Sequence, residues 1–414
     1  MTTSLQQGIR PGFSWYYGWN VLAVGTLVVA MTIGIGISSF SFFAVAWMAE
    51  FGSSRAEIML VLTAMQLGSG LLVPFSGRAM DRLSIRLVGM AGLLCLIAAL
   101  VLASLATQLW QIVTVFTLLM AAASAMAGSI FAPTLAAKWF RGRRGLAIGL
   151  ASLGTSFGAL VFPLLTTYLI AAFDWRVTLQ VLAAVVAVVA LPPLWWLVRD
   201  TPEQKGVEPE PEAVGQTPRP ASDSGWTMVG ILRQPAFWCM VAGFIPLSVA
   251  SSGFVSNFGP FTQDLGISQQ GAGFLLSIWS LTVIFSKVGF GMMADKVGMG
   301  PLYIVSSVPT LIALIILQLE PGYLAMVVVM IVMGIGSGGN LPLIGVIISR
   351  HFGPLAFGVV MGLFMLASRL TAFAPPAAGW VRDHSGSYDP FWLGVLILCC
   401  LCAPFMYFLR DSKA

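Results

Sequence analysis

Lys287 and Arg369 stand inside long apolar segments of a chain whose 16 acidic residues all fall in loops, tails or segment ends. A cation removed from water without a partner is costly, so each of these two should have a counter-charge. No carboxylate of the chain is available at that depth. What such a pair can do is hold an anion: a guanidinium offers a planar fork to a carboxylate, and an ammonium offers a compact point charge. The missing negative charge is expected from a ligand that arrives from outside. Two competing readings stand beside this one. Arg369, near the middle of its segment, can be satisfied by backbone carbonyls and water, and Lys287, about six residues or roughly 9 Å from the centre of its segment, can snorkel out along its long stem.

Weaker candidates share these segments. Ser280 lies seven residues before Lys287 and so on nearly the same helical face; Ser256 and Asn257 form a polar pair; Asn340 follows the glycines Gly334, Gly336, Gly338 and Gly339. Each is expected either to line a path or to serve as interhelical glue, a common use of Ser and Asn in membranes. Trp279, Phe42 and Phe43 are wall candidates, with packing as the alternative. Other chemistry is excluded by what is missing. The five cysteines, Cys95, Cys239, Cys399, Cys400 and Cys402, sit in apolar segments without metal-type spacing, and His351 and His384 are read as loop residues. No nucleophile constellation, metal site or cofactor site is expected, and the chain is not read as an enzyme.

The elements that must position the two cations follow from composition. With 58% hydrophobic and 9% charged residues over 414 positions, the chain cannot be a soluble domain, where charged residues make up about a quarter. Segments near the ~20 residues needed to cross a bilayer are read at 18–44, 57–76, 87–106, 110–137, 146–170 and 177–198. A second set follows at 236–262, 270–293, 301–319, 323–349, 356–381 and 390–409. If both termini are cytoplasmic, Arg55, Arg176 and Arg382 are the three outer basic residues and two are intramembrane, leaving 16 of 21 on the cytoplasmic side, as the positive-inside rule asks. The net charge of +5 then belongs to loops facing an anionic leaflet, and no nucleic acid is needed to explain it. No cleavable signal is read, and the first span is expected to stay as an anchor.

Residues 200–225, rich in Pro, Glu, Ser and Thr, cannot bury a core and read as a linker. The chain divides into an N-terminal six-helix half (1–199), a cytoplasmic linker (200–230) and a C-terminal six-helix half (231–414). The halves repeat each other: Gly77, Asp81 and Arg82 recur as Gly291, Asp295 and Lys296 at an offset of 214, and Trp139-Phe140 recurs as His351-Phe352 at 212. Parallel duplication is the arrangement in which two halves rock about a site at mid-depth. The repeated turn reads as a latch, its carboxylate pairing with basic residues such as Arg143 and Arg144 and with a helix N-terminus. The alternative is a solvated loop charge. Gly149, Gly154 and Gly158 in the fifth segment predict tight helix packing; the glycines of the tenth predict either packing or local unwinding.

The twelve spans, the linker and the paired Gly77/Asp81 and Gly291/Asp295 elements resemble the major facilitator superfamily of secondary transporters over nearly the whole chain. Ser84 departs from the family's usual glycine, which implies a looser first latch. The start Trp15-Tyr16-Tyr17-Gly18-Trp19 and the run from Lys138-Trp139-Phe140 to Gly149 look like the bacterial monocarboxylate porters and oxalate/formate antiporters. That branch implies a substrate-binding cation where Lys287 stands and another close to Arg369, with the identities swapped. Tyrosines that box a small dianion are replaced near Ser129 and near Asn340 or Leu341, implying a roomier pocket. The resemblance thus implies an all-α membrane protein of two pseudo-symmetric six-helix bundles in a bacterial inner membrane. It would move a small organic acid by alternating access, as anion exchanger or proton symporter, functional as a monomer. The alternatives are an exporter of amphipathic drugs and a non-transporting sensor.

Overall fold

The computed structural model describes residues 16–140, 143–207, 228–293, 297, 299–319, 321–352 and 357–405; the side chains of Asp81 and Arg144 fall outside the description. Among the described residues all regular structure is helical. The N-terminal half comprises α1 (Gly18–Phe51), α2 (Arg55–Arg82), α3 (Ile85–Ser104), α4 (Leu109–Trp139), α5 (Arg144–Ala172) and α6 (Trp175–Leu197). The C-terminal half comprises α7 (Pro235–Ser256, continued as Phe258–Asp264), α8 (Gln269–Met293), α9 (Met299–Leu317) and α10 (Tyr323–His351). It is completed by α11, in three pieces between Phe357 and Ser385, and α12 (Asp389–Cys402). Among the described residues eleven helices are long and apolar enough to cross a membrane, and α12 with its extension to Phe405 is a shorter apolar twelfth.

Each half has its own apolar core, one running from Val21 to Val198 and the other from Ile231 to Cys399. One side chain crosses over: Phe42, on α1 of the first half, is fully buried in the core of the second. Phe43 stays at home, stacked on Trp47 at 5.8 Å. Both aromatics are therefore packing residues in this conformation. The halves meet along two seams, α5 with α8 and α2 with α11, and α1 meets α7 at the end away from the linker.

Of the three α5 glycines expected to pack, Gly154 and Gly158 do so, whereas Gly149 has nothing within 4 Å of an added Cβ. A Cβ on Gly158 would lie 2.2 Å from the Ala30 carbonyl oxygen, and one on Gly154 2.7 Å from that of Thr26, so α1 and α5 touch backbone to backbone. The tenth helix does not unwind. It is one α-helix from Tyr323 to His351, with Gly334 and Gly338 against α8, Gly336 against α9, and Gly339 between Phe290 of α8 and Ser306 of α9. Gly77 and Gly291, by contrast, have nothing within 4 Å of a modest added side chain, and both lie inside the last turns of α2 and α8, not beyond them.

Two histidines read as loop residues belong to helix ends. His351 closes α10, and His384, in the last turn of α11, lies over Trp380 with ring centroids 4.2 Å apart and planes tilted by 31°. The helical register simply runs further than the apolar pattern did. Ser84 has a positive role: it caps α3, its Oγ also donating to Asp200 at 3.0 Å, and Asp200 accepts from the Arg86 amide at 3.0 Å. The two motifs of the narrower resemblance touch one another near the linker end. Trp19 lies 4.6 Å from Phe140, Tyr17 lies 5.8 Å from Trp139, and the Tyr16 hydroxyl donates to the Trp139 carbonyl at 2.7 Å.

Candidate functional site: two cations reaching across the halves

Lys287 belongs to α8 of the second half, yet its ammonium donates at 2.8 Å to Ser156 Oγ on α5 of the first. It turns toward the opposite half, not out along its stem. Arg369 lies in α11, in the 3-10 stretch Ser368–Phe373, and its guanidinium faces Gly70 on α2: a Cβ there would sit 3.1 Å from Nε and 3.2 Å from Cζ. Among the described residues neither cation has a carboxylate in ion-pair range, and the Arg369 guanidinium has no hydrogen-bond partner.

The two contacts share a depth. Gly70 is twelve residues before Arg82 at the linker end of α2, and Ser156 is twelve residues after Arg144 at the linker end of α5. At 1.5 Å per residue both are about 18 Å from that end, near mid-helix. The cations therefore address the first half at one level from its two opposite seams, which suits a ligand carrying negative charge between them. An apolar groove of about 370 Å³ on α2, α3 and α4, lined by Leu72, Phe75, Leu87 and Met126 among others, has no charged lining residue and is a separate feature.

The remaining candidates are placed differently. Asn257 is fully buried and donates through Nδ2 to the carbonyls of Gly253 and Pro375, each at 3.0 Å, tying α7 to α11. Ser280 is buried with no partner for its Oγ among the described residues, and the Trp279 indole N–H is likewise buried and unpartnered. Asn340 faces α9, its Oδ1 3.4 Å from Ser306 Oγ. Ser129 is exposed in the turn at Gly128–Ile130 that interrupts α4. Of the latch residues, Arg82 is exposed at the end of α2 and Arg143 precedes α5; Asp295 and Lys296 lie outside the described residues.

Sequence reasoning missed four residues that shape the site. Thr63 and Gly70 on α2, Ser156 on α5 and Ser252 on α7 look like ordinary small residues of membrane helices. The usable signal was Pro375-Pro376, six residues past Arg369, which announces freed carbonyls and hence hydroxyl partners.

The far end is closed by charge. Arg55 at the start of α2 holds Asp264 at the end of α7 with two bonds of 2.6 and 2.7 Å, and Arg382 Nε reaches the same carboxylate at 2.9 Å. Burial alone would raise the Asp264 pKa; the hydrogen bonds from Arg55 and Arg382 overcome it and hold the carboxyl below its ordinary value. Asp383 of α11 accepts from the amides of Arg55 at 3.3 Å and Ala56 at 3.0 Å. Within α2 itself, Ser54 and Glu57 form a capping box. The carboxylate from the other half thus satisfies amides that this box leaves over.

Two six-helix bundles around a seam, with charges at mid-depth and a closed end, define a multi-pass membrane carrier of the two-half type. The family model of the Major Facilitator Superfamily matches residues 22–264 and 247–414, and the chain belongs to that superfamily. It is 27% identical over 394 residues to Monocarboxylate transporter 13 of Rattus norvegicus, covering 90% of this chain and 84% of that one. It is 25% identical over 412 residues to Monocarboxylate transporter 12 of Homo sapiens, covering 91% and 77%. Among solved structures, a bacterial homolog of the human lysosomal transporter Spinster, inward-facing and unoccupied, superposes with a TM-score of 0.73 at 15% identity, covering 98% of this chain and all of that one. The fold is shared at that distance.

Proposed function

We propose that this protein is a secondary transporter of organic carboxylate anions, working by alternating access with Lys287 and Arg369 as the substrate's counter-charges. The observation that carries this reading is the pair of cations reaching across the two seams at one depth with no carboxylate beside them among the described residues. A site of two positive groups suits a dicarboxylate, or a monocarboxylate with a second polar group. The names of relatives over most of the chain's length support the same substrate class. By its basic residues, the linker side is the cytoplasmic one, so the clamp around Asp264 closes the outer end and this conformation opens inward.

Coupling follows from the charges. If Lys287 keeps its proton in the empty site, the carrier must return loaded and acts as an exchanger; if it releases the proton, it acts as a proton symporter. The test is reconstitution into liposomes with a panel of labelled mono- and dicarboxylates. Accumulation or exchange of at least one acid, lost in Arg369→Gln, is expected. Transport that is indifferent to carboxylates, or unaffected by Arg369→Gln, would overturn the reading.

A further inference from the structure

Helix α11 breaks where it carries Arg369, and the break has a chemical cause. Pro375 and Pro376 have no N–H, so in a regular helix the carbonyls four residues earlier, those of Thr371 and Ala372, would lose their partners. The stretch Ser368–Phe373 instead tightens into a 3-10 turn, in which the Ala374 N–H reaches back to the Thr371 carbonyl. Hydroxyls attend to both oxygens. Ser252 Oγ on α7, in the same half, donates to Thr371 at 3.2 Å, and Thr63 Oγ1 on α2, in the opposite half, donates to Ala372 at 2.8 Å. Thr63 and Ala372 are both almost fully buried, so this carbonyl has little recourse to water.

We infer that Thr63 is a positioning residue for Arg369: its hydroxyl, donated across the halves to the proline-freed Ala372 carbonyl, holds the 3-10 turn that lays the guanidinium against Gly70. The inference rests on the reading of Arg369 as a substrate counter-charge and adds a residue and a state-dependence to it. Thr63 and Gly70 are seven residues, two helical turns, apart and so lie on one face of α2. One supplies a donor to the turn's backbone, and the other supplies the space its side chain fills.

The link between the halves exists only while α2 and α11 are together. When they part, the Thr63 hydroxyl has a partner waiting, since it already points at the Met59 carbonyl of its own helix at 3.2 Å. The Ala372 carbonyl, with prolines at the positions that would donate to it, is left to water alone, and the turn loosens. The anion site is thus held ready with the far end shut and relaxed when it opens, which is the asymmetry a carrier needs to bind on one side and release on the other.

The experiment compares wild type with Thr63→Val, which keeps the shape and loses the donor, and Thr63→Ser, which keeps the donor, all in lipid nanodiscs. Two quantities are read: amide hydrogen exchange over residues 369–374, and the dissociation constant of the tightest-binding acid from a panel of mono- and dicarboxylates. Loss of a donor to a buried carbonyl corresponds to roughly tenfold in each, so Thr63→Val should exchange about tenfold faster and bind about tenfold more weakly, with Thr63→Ser close to wild type. Unchanged exchange in Thr63→Val overturns the inference; faster exchange with unchanged affinity also overturns it, reducing Thr63 to helix packing. If Thr63→Val does not insert, Thr63→Cys, a weak donor of similar size, should fall between wild type and the expected loss, and a wild-type result for it overturns the proposal. Should wild type bind no carboxylate at all, the transport reading fails, and the exchange arm alone decides whether Thr63 holds the turn.

Discussion

Arg55 and Asp264, from opposite halves of the chain, form a two-pronged ion pair whose side chains are only 17% and 26% exposed. A planar guanidinium facing a carboxylate in this way has both geometry and partial shielding in its favour, unlike most surface pairs. Asp264 is also shared with Arg382, so one carboxylate holds an arginine from each half. Asp264→Asn should therefore shift the balance between the two carrier states toward the one open at the far end. The shift is expected to be about 1 kcal/mol, or five-fold, after allowing for screening. A cysteine-reactive probe on the far-end half of α7 reads it; unchanged labelling in Asp264→Asn would show that the clamp does not set the equilibrium.

The same clamp should be indifferent to pH across the physiological range. Its carboxyl titrates below the ordinary value with the end shut, and loses part of that depression when Arg55 leaves with the other half while Arg382 stays beside it. A depressed carboxylate pKa contributes stability above the ordinary value and loses it as pH falls toward the depressed one. Closure should be constant from pH 8 to pH 5 and weaken only below about 4. Fluorescence distance measurements between the two ends, taken across that range, test this. A transition near neutral pH would point to a different group.

Gly70 should be intolerant of a side chain. A methyl group 3.1 Å from Nε of Arg369 requires the guanidinium to give by a few tenths of an ångström, and a larger group displaces it outright. Gly70→Ala is expected to weaken substrate binding several-fold and Gly70→Leu to abolish transport, each without loss of insertion. Uptake by Gly70→Leu at the wild-type rate would show that Arg369 has no need of this space.

Arg369 and Lys287 should fail differently. Arg369→Lys keeps charge and loses the fork, so weak transport should survive, whereas Arg369→Gln removes it. Lys287→Arg holds a permanent charge. In a symporter this change should leave exchange intact and stop net flux, because arginine cannot release its proton. Exchange and net efflux measured at two pH values, for wild type and Lys287→Arg, separate the cases; equal rates that ignore pH in both proteins would contradict any role for Lys287 in coupling.

Much of this architecture was written in composition. Hydrophobic runs of about 20 residues have few physical options other than crossing a bilayer, and the paired elements at Gly77 and Gly291 disclosed the duplication because similar turns recur at one offset. The outlying charges, Lys287 and Arg369, were legible for the same reason: in an apolar run a cation is conspicuous. Gly154 and Gly158 of α5 read correctly as packing, since small residues are what let membrane helices touch, but the same reading failed for Gly149, which faces open space. Depth along a helix is a matter of counting, which put Arg369 near mid-segment; counting left Lys287 about 9 Å off centre, and only the reach of its side chain to Ser156 brings its charge to the same level.

Direction around the helix and across the seam could not be read that way. That Lys287 turns to Ser156, that Phe42 enters the other half's core, and that Asn257 spends its amide on α11 were decided by which helices are neighbours. The closure of the far end shows the limit most clearly. Arg55, Asp264, Arg382 and Asp383 are ordinary loop-end charges in the sequence, separated by up to 328 residues. They become a lock only when α2, α7 and α11 bring their ends together. The sequence determined what each segment must do with water and lipid, because transfer free energy is local to a residue and its neighbours in the chain. Which groups find each other depends on long-range packing, and that the tertiary structure alone decided.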